Sequence, residues 1–195
     1  MIDMTRFKND RRGLGAGGAI IILILLVVVG FIVATIGMPY IGKQNIEVGD
    51  TLSYELTSSG EGNMTGKLSI VITDVETSTL NYSWIYAQDG AGSTGDQTVG
   101  YSYAGNVLNV NMSFALFFPI FASPEDMTEF EATYWVFLSG LTPMLVQKYS
   151  TTTGTITLTV MVKMGTNLVV ASELSNGTDS VKMTLKDCSM LWVKL

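Results

Sequence analysis

Apolar residues follow two different patterns along this chain. The first is a run over residues 19–33, AIIILILLVVVGFIV, which is apolar on every face, and no charged residue lies between Arg12 and Lys43. An apolar helix of about 20 residues matches the ~30 Å hydrocarbon core of a bilayer. A buried core helix is the alternative, whereas the apolar region of a signal peptide is shorter. The run therefore predicts a transmembrane helix over residues 13–38 that contacts the lipid bilayer through residues 16–38.

The second pattern is an alternation of apolar and polar residues, which is typical of half-buried strands. Its clearest example is residues 108–114, where Leu, Val, Met and Phe alternate with Asn and Ser. The dipeptide Asn176-Gly177 between two such runs is a strong hairpin signal. The alternation predicts a mainly β fold over residues 47–195, with eight or nine strands in an antiparallel meander. We expect this meander to curl into a sandwich or a barrel-like half-shell.

One segment departs from the alternation and has the features of a helix start. Ser123 is a suitable N-cap, Pro124 suits the first helical position, and two acidic residues follow. Apolar residues then recur at helical spacing: Met127, Phe130, Tyr134, Leu138 and Leu141. This spacing predicts one short helix lying on the sheet, although residues 134–138 are equally compatible with a strand.

The charges on the two sides of the apolar run differ in sign. Residues 1–42 carry four Lys or Arg and two Asp or Glu, whereas residues 43–195 carry seven Lys and fifteen Asp or Glu. Because basic flanks remain in the cytoplasm, we expect residues 1–12 to form a cytoplasmic tail. Residues 39–46 would be a linker, and the acidic domain after it would lie outside the cell membrane. A domain with this charge and no arginine is a poor binder of nucleic acids.

The composition argues against most catalytic and metal sites. The chain has no histidine and one cysteine, Cys188, so it contains neither a Ser-His-Asp triad nor a Cys-His pair, and a zinc site is excluded. The main acidic cluster comprises Glu125, Asp126, Glu129 and Glu131. These acids fit a solvated helix start better than a calcium site, which needs six to eight oxygen ligands. We expect no cofactor, and an enzyme is the least favoured class of function.

The sequence DRRGL at residues 10–14 is followed closely by the apolar run. Residues 10–37 thereby resemble the class III signal and hydrophobic helix of type IV pilins, especially the archaeal ones. In that family a membrane peptidase removes a short basic leader, the helix packs into a filament core, and an all-β head faces outward. The resemblance implies cleavage between Gly13 and Leu14. Bacterial members have Glu at the fifth mature position, where this chain has Gly18.

Two sets of residues are candidates for modification or binding. Four Asn-x-Ser/Thr sequons lie in predicted turns or on polar strand faces and are candidate glycan acceptors, namely Asn63, Asn81, Asn111 and Asn176. An apolar cluster either plugs the core or contacts lipid, an acyl chain or a neighbouring subunit, and it comprises Leu116, Phe117, Phe118, Ile120 and Phe121.

Three functions remain open on the sequence. The first is a single-pass membrane protein whose extracellular β domain has a structural or binding role without catalysis. The second is a type IV pilin-like filament subunit cleaved after Gly13. The third is a membrane-tethered carrier of lipid or another hydrophobic ligand. Beyond the bilayer, the expected partner is another copy of the chain or another membrane protein.

Overall fold

The computed structural model of the chain describes residues 43–60, 64–139 and 142–190, together with Ile24 and Val193. The described residues form twelve strands and one 3-10 helix at Pro124–Met127. The strands are β1 (Thr51–Ser59), β2 (Thr65–Val75), β3 (Thr79–Gln88), β4 (Ala91–Ala104), β5 (Val107–Val110), β6 (Ser113–Ala115), β7 (Phe118–Phe121), β8 (Glu131–Ser139), β9 (Thr142–Thr153), β10 (Ile156–Lys163), β11 (Val169–Ser175) and β12 (Ser180–Cys188).

The predicted cytoplasmic tail and transmembrane helix fall almost entirely outside the described residues. Of residues 1–42, only Ile24 is described. Within the described part of the chain, no helix has both the length and the apolar character needed to cross a membrane.

The strands form one large sheet and one small sheet, and all pairings are antiparallel. Ten strands lie in the order β5-β4-β3-β2-β1-β12-β11-β10-β9-β8, while β6 pairs with β7. Strands β1–β5 and β8–β12 are therefore two meanders, joined where β1 pairs with β12. The prediction of a mainly β, antiparallel fold is confirmed, but two meanders replace the single one that was expected.

The predicted count of eight or nine strands is too low for the described residues. Three short strands, β5, β6 and β7, occupy residues 107–121, where the sequence indicated one strand and an apolar segment. β8 is a further strand that the prediction lacked, because it occupies most of the segment predicted as a helix.

The predicted helix begins at the right residue but is much too long. The backbone N–H of Ser123 donates to the Asp126 carboxylate at 2.9 Å, and the Ser123 hydroxyl accepts from the Asp126 N–H at 3.3 Å. The 3-10 helix then ends at Met127. Residues Glu131–Ser139 pair with β9 along their whole length, because aromatic and β-branched side chains suit a strand. The alternative that residues 134–138 form a strand is therefore confirmed.

One face of the large sheet carries the core. Alternate residues of its strands are buried, as the period of two predicts, including Leu52, Tyr54, Leu56, Leu68, Ile70, Ile72, Leu80 and Tyr82. The β6–β7 hairpin covers this face, and all four residues of β7 are buried. Tyr82 Oη donates to the Phe114 carbonyl at 2.9 Å, and Phe121 forms a β-bridge with Leu168. The hairpin is thus attached to β3 on one side and to the start of β11 on the other.

The connections between strands are divided between the two ends of the sheet. Gln44 marks one end, because its backbone N–H donates to the Asn106 carbonyl at 2.9 Å and its Nε2 donates to the Gly165 carbonyl at 2.7 Å. This end, here called the Lys43 end, holds the β4–β5 and β10–β11 connections. The antiparallel order places the β2–β3 and β8–β9 connections at the same end. The opposite end, here called the Asn176 end, holds the remaining hairpin connections of the sheet.

The first prediction concerns a buried hydrogen bond in the core. Tyr54 is fully buried and its Oη donates to the Val169 carbonyl at 2.9 Å. The change Tyr54→Phe leaves that carbonyl unsatisfied, so the free energy of unfolding should fall by about 1–3 kcal/mol. Urea denaturation of the full chain in detergent measures it. The control Tyr134→Phe removes an exposed hydroxyl and should have little effect, and equal losses in both variants would contradict the prediction.

The second prediction concerns alkaline pH. Burial raises the pKa of Tyr54 well above its ordinary value and also raises the pKa of Tyr82. The unfolded chain loses these protons near pH 10 while the folded chain keeps them, so their contribution is complete below about pH 10 and is lost above it. Burial lowers the pKa of Lys163, so the unfolded chain binds more protons at this lysine than the folded chain does. The contribution of Lys163 to the free energy of unfolding therefore rises with pH.

We therefore expect Tyr54→Phe to make the free energy of unfolding fall less steeply above pH 10 than in the wild type. Denaturation at a series of pH values up to 11 measures the two slopes, and identical slopes would show that Tyr54 ionises normally in the folded state.

Candidate functional site

Three adjacent large side chains of β8 are exposed to solvent. Tyr134 is 67% exposed, Trp135 61% and Val136 47%. Successive residues of a strand point to opposite faces, so both faces of β8 present apolar side chains. An open groove of about 430 Å³ lies beside them and is lined by these three residues and Leu145. Adjacent exposed apolar side chains of this size mark a contact surface for protein or membrane.

The strand that carries these side chains is also an unprotected edge of the sheet. β8 is nine residues long and pairs with β9 without a register shift. Among the described strands, none pairs with its outer edge. At the other edge, β5 is only four residues long, and its Leu108 N–H donates to Gln44 Oε1 at 3.0 Å. β5 pairs with the last four residues of β4, and residues 91–99 of β4, which are mostly small or polar, complete this edge. Long, flat, apolar edges are rare in soluble domains because they pair with other chains.

The β8–β9 hairpin extends past its neighbour at the Lys43 end. Trp135 pairs with Val146, and Val146 pairs with Lys163, the last residue of β10. Beyond this level the hairpin residues have no pairing partner in β10, although the Met164 N–H donates to the Leu145 carbonyl at 3.1 Å. Four further residue pairs follow, and at about 3.3 Å each they extend the hairpin by about 13 Å.

The hairpin is uncharged over its whole projecting part. No charged residue lies between Glu131 and Lys148. Residues 97–124 form a longer uncharged stretch, but it includes β7, all of whose residues are buried. The β8 segment differs from it because its large apolar side chains are exposed. Together, the exposed aromatic side chains, the free edge and the absence of charge make the β8–β9 hairpin the candidate site.

The predicted glycan acceptors lie apart from one another. Asn176 is exposed in the β11–β12 connection, where its Oδ1 accepts from the Asp179 N–H at 2.7 Å. Asn81 is on β3 and accepts from Thr98 Oγ1 at 2.6 Å, while Asn111 is exposed after β5. Asn63 lies outside the described residues. The three described sequons are thus at or near the surface, and their use remains a prediction.

The apolar segment singled out in the sequence is divided between core and surface. Phe118, Ile120 and Phe121 are at most 1% exposed, which fits a plug beneath the sheet. Phe117 is 57% exposed and packs against Phe118, with 4.5 Å between the ring centroids. Leu116 is half-buried at a backbone φ of 56°, a left-handed conformation. Of the five residues, only Phe117 presents a largely exposed side chain. The predicted cleavage site, Gly13 and Leu14, lies outside the described residues.

The acidic cluster is part of a capping arrangement. Asp126 accepts from the N–H and the hydroxyl of Ser123, each at 2.9 Å. Among the described residues, no group of three or more His, Cys, Asp or Glu side chains is arranged to hold a metal ion. Of the four acidic residues, Asp126 therefore stabilises the start of the 3-10 helix.

A second open groove, of about 750 Å³, lies between strands β1 to β4 and includes Lys186. Lys186 Nζ is 2.7 Å from Glu55 Oε2, and both side chains are substantially exposed. Tyr86 covers Gly66 so closely that a Cβ at position 66 would lie 2.6 Å from Tyr86 Cε2. An exposed ion pair of this kind contributes little stabilisation, and we assign the groove no chemistry.

Burial lowers the pKa of Lys163. Its Nζ donates to the Val193 carbonyl at 3.1 Å. The side chain thereby links the end of β10 to Val193, which is a structural role.

The comparisons with known proteins leave the function open. No family model matches the chain, and no curated protein matches it. The chain is similar to a solved structure, the hypothetical protein CT021 from Chlamydia trachomatis, with a TM-score of 0.33 and 8% identity over 74% of this chain and 88% of that chain. A likeness of this size carries no argument about function.

The sequence interpretation missed the candidate site because it assigned the segment to a helix. A signal was nevertheless present, since residues 132–147 carry no charge and their first half is rich in aromatic and β-branched residues. Exposure, however, depends on which strands lie beside the segment, and that information is not local.

The third prediction separates the two halves of the apolar segment. The change Phe118→Ala removes a fully buried ring and should lower the free energy of unfolding by about 3–5 kcal/mol. The change Phe117→Ala removes a largely exposed ring of the same chemistry and should cost much less. Denaturation in urea compares the two variants, and a larger loss for Phe117→Ala would show that the plug is assigned to the wrong residue.

Proposed function

We propose that the protein is anchored in the cell membrane by a single helix and displays its β domain outside the cell, in a structural or binding role. The proposal is carried by the uncharged segment between Arg12 and Lys43, whose apolar run favours insertion into a bilayer. The basic residues before the run favour a cytoplasmic N-terminus. The domain that follows begins at one end of a rigid sheet, so an anchor at residue 43 would hold that end toward the membrane.

The described surface supports binding rather than catalysis. Its most distinctive features are a free sheet edge and an apolar hairpin, and both are means of contact rather than of reaction. The absence of histidine from the chain also removes the commonest general base.

The fourth prediction tests the anchor in cells that express the full chain. The domain should stay with the membrane fraction after a high-salt wash, dissolve in detergent and be cleaved by protease added to intact cells. A charge at the centre of a membrane helix costs about 2.5–3.5 kcal/mol, so the double change Leu25→Arg and Val28→Arg should shift the chain to the soluble fraction.

The double change Ile156→Arg and Val107→Arg is the matched control, because it places two arginines on exposed strand residues of the domain. It should leave the distribution between fractions unchanged. Removal of the wild-type chain by salt alone, or resistance of the domain to external protease, would contradict the proposal.

A pilin-like filament subunit is the second candidate, and the sequence DRRGL at residues 10–14 favours it. The two candidates differ at the mature N-terminus. Sequencing of the native protein should begin at Leu14 for the pilin-like subunit and at or near Met1 for the uncleaved anchor. A carrier of hydrophobic ligands is disfavoured, because three of the five residues proposed to line its site are packed in the core.

A further inference from the structure

We propose that the β8–β9 hairpin is a second membrane contact, which places Tyr134, Trp135 and Val136 in the interface of the bilayer that holds the N-terminal segment. This inference rests on the proposed membrane anchor. It adds that the domain lies with one end against the lipid surface rather than free on a tether.

The β8–β9 hairpin lies at the same end of the sheet as the point where the chain enters the domain. Gln44 is hydrogen-bonded to the Asn106 and Gly165 carbonyls, so the chain enters beside the β4–β5 and β10–β11 connections. The β8–β9 hairpin points to the same end, because β9 and β10 are antiparallel and Val146 pairs with the last residue of β10. The anchor and the exposed apolar hairpin therefore share one end of the sheet.

The length of the linker limits how far the sheet can lie from the bilayer. If the membrane helix ends at residue 38, residues 39–43 join it to the domain, and five residues reach at most about 17 Å when fully extended. Gln44 is fixed to the sheet by its side chain and its backbone. The hairpin extends about 13 Å past the end of β10, and Trp135 lies at the base of this extension, level with Lys163. The short linker allows the Lys43 end of the sheet to lie against the lipid, and in that position the extension enters the bilayer while Tyr134, Trp135 and Val136 lie at its interface.

The side chains of the β8–β9 hairpin are of the kinds found at membrane surfaces. Tryptophan and tyrosine are enriched where membranes meet water, since their rings are apolar and their N–H or O–H groups remain hydrated. Tyr134 and Trp135 are the most exposed aromatic side chains of the described domain. The hairpin carries no charge between Glu131 and Lys148 that would have to be desolvated on contact with lipid.

The bilayer fits this surface better than a second copy of the chain does. Two copies paired along β8 would bring together domains that are both strongly acidic, because residues 43–195 carry fifteen acidic residues and seven lysines. A zwitterionic lipid surface imposes no such repulsion. Exposure of apolar side chains on both faces of β8 also suits insertion into an interface, which surrounds the hairpin, whereas edge pairing covers only the backbone.

The test compares two exposed apolar strand residues at opposite ends of the sheet. Val136 is 47% exposed at the Lys43 end, and Ile156 is 49% exposed at the start of β10, at the Asn176 end. In the full chain with Cys188→Ser, the single changes Val136→Cys and Ile156→Cys each carry an environment-sensitive dye. Both proteins are reconstituted into phosphatidylcholine vesicles, with or without brominated acyl chains, and recovered by flotation.

The expected result is that both proteins float, that brominated lipid quenches most of the dye fluorescence at position 136, and that it leaves position 156 unchanged. Intrinsic fluorescence provides a second measurement, because bromine quenching of the unlabelled chain should decrease in Trp135→Phe. Quenching at both positions would contradict the orientation.

The remaining outcomes separate this inference from the proposed anchor. If the chain does not float with the vesicles, the anchor and the hairpin contact both fail. If it floats and position 136 is not quenched, the anchor stands and the hairpin contact is wrong. A blue-shifted but unquenched dye at position 136 would show that protein covers the hairpin, either a second copy or the apolar segment of this chain, and would also overturn the inference.

Discussion

The pairing of the first strand with the last is the constraint on which the rest of the fold depends. β1 and β12 pair from Leu52 with Cys188 to Ser59 with Ser180, and the Thr51 N–H donates to Ser189 Oγ, 138 residues further along the chain. Each meander alone would bury only part of its apolar face. Joined, they form a face broad enough for the β6–β7 hairpin to attach to β3 and to the start of β11 at once. The entropic cost of closing a loop rises only slowly with its length, so pairing β1 with the distant β12 costs little more than pairing it with a nearer strand.

The same pairing gives the domain its two unlike ends. β1 lies at the centre of an antiparallel sheet, and the chain enters the domain at the end where four connections lie. The other hairpin connections lie at the opposite end. The entry point is fixed by Gln44 rather than by a loose loop, since three of its hydrogen bonds reach the β4–β5 hairpin and the β10–β11 connection. Gln44 therefore ties the start of the described domain to this end of the sheet. Asn176 lies at the far end, where attachment of a glycan would not obstruct the entry point.

The sequence predicted the parts of this fold that depend on local alternation. Leu52, Tyr54 and Leu56 are buried as their spacing requires, and the Asn176-Gly177 hairpin lies where that dipeptide indicated. β8 was misassigned because its apolar residues also fit a helical spacing, and only pairing with β9 decides between the two. The β1–β12 contact has no local signal at all. The candidate site could not be predicted for the same reason, since Trp135 is exposed only because no described strand lies beyond β8.

The two edges of the sheet support different conclusions about its surroundings. β5 is short, its Leu108 N–H is occupied by Gln44, and residues 91–99 of β4, which complete this edge, are mostly small or polar and include Asp96. Short edge strands and edge charges are ways in which soluble β proteins protect an edge. β8 has neither lysine nor proline nor a bulge, and Glu131 is its only charged residue. A nine-residue edge with exposed aromatic rings is a site of aggregation in water. Such an edge is compatible with a stable protein when another phase or molecule covers it. Its position at the end where the uncharged N-terminal segment joins the domain makes a lipid surface the simplest cover, because the anchor would bring that surface to the hairpin without a further partner.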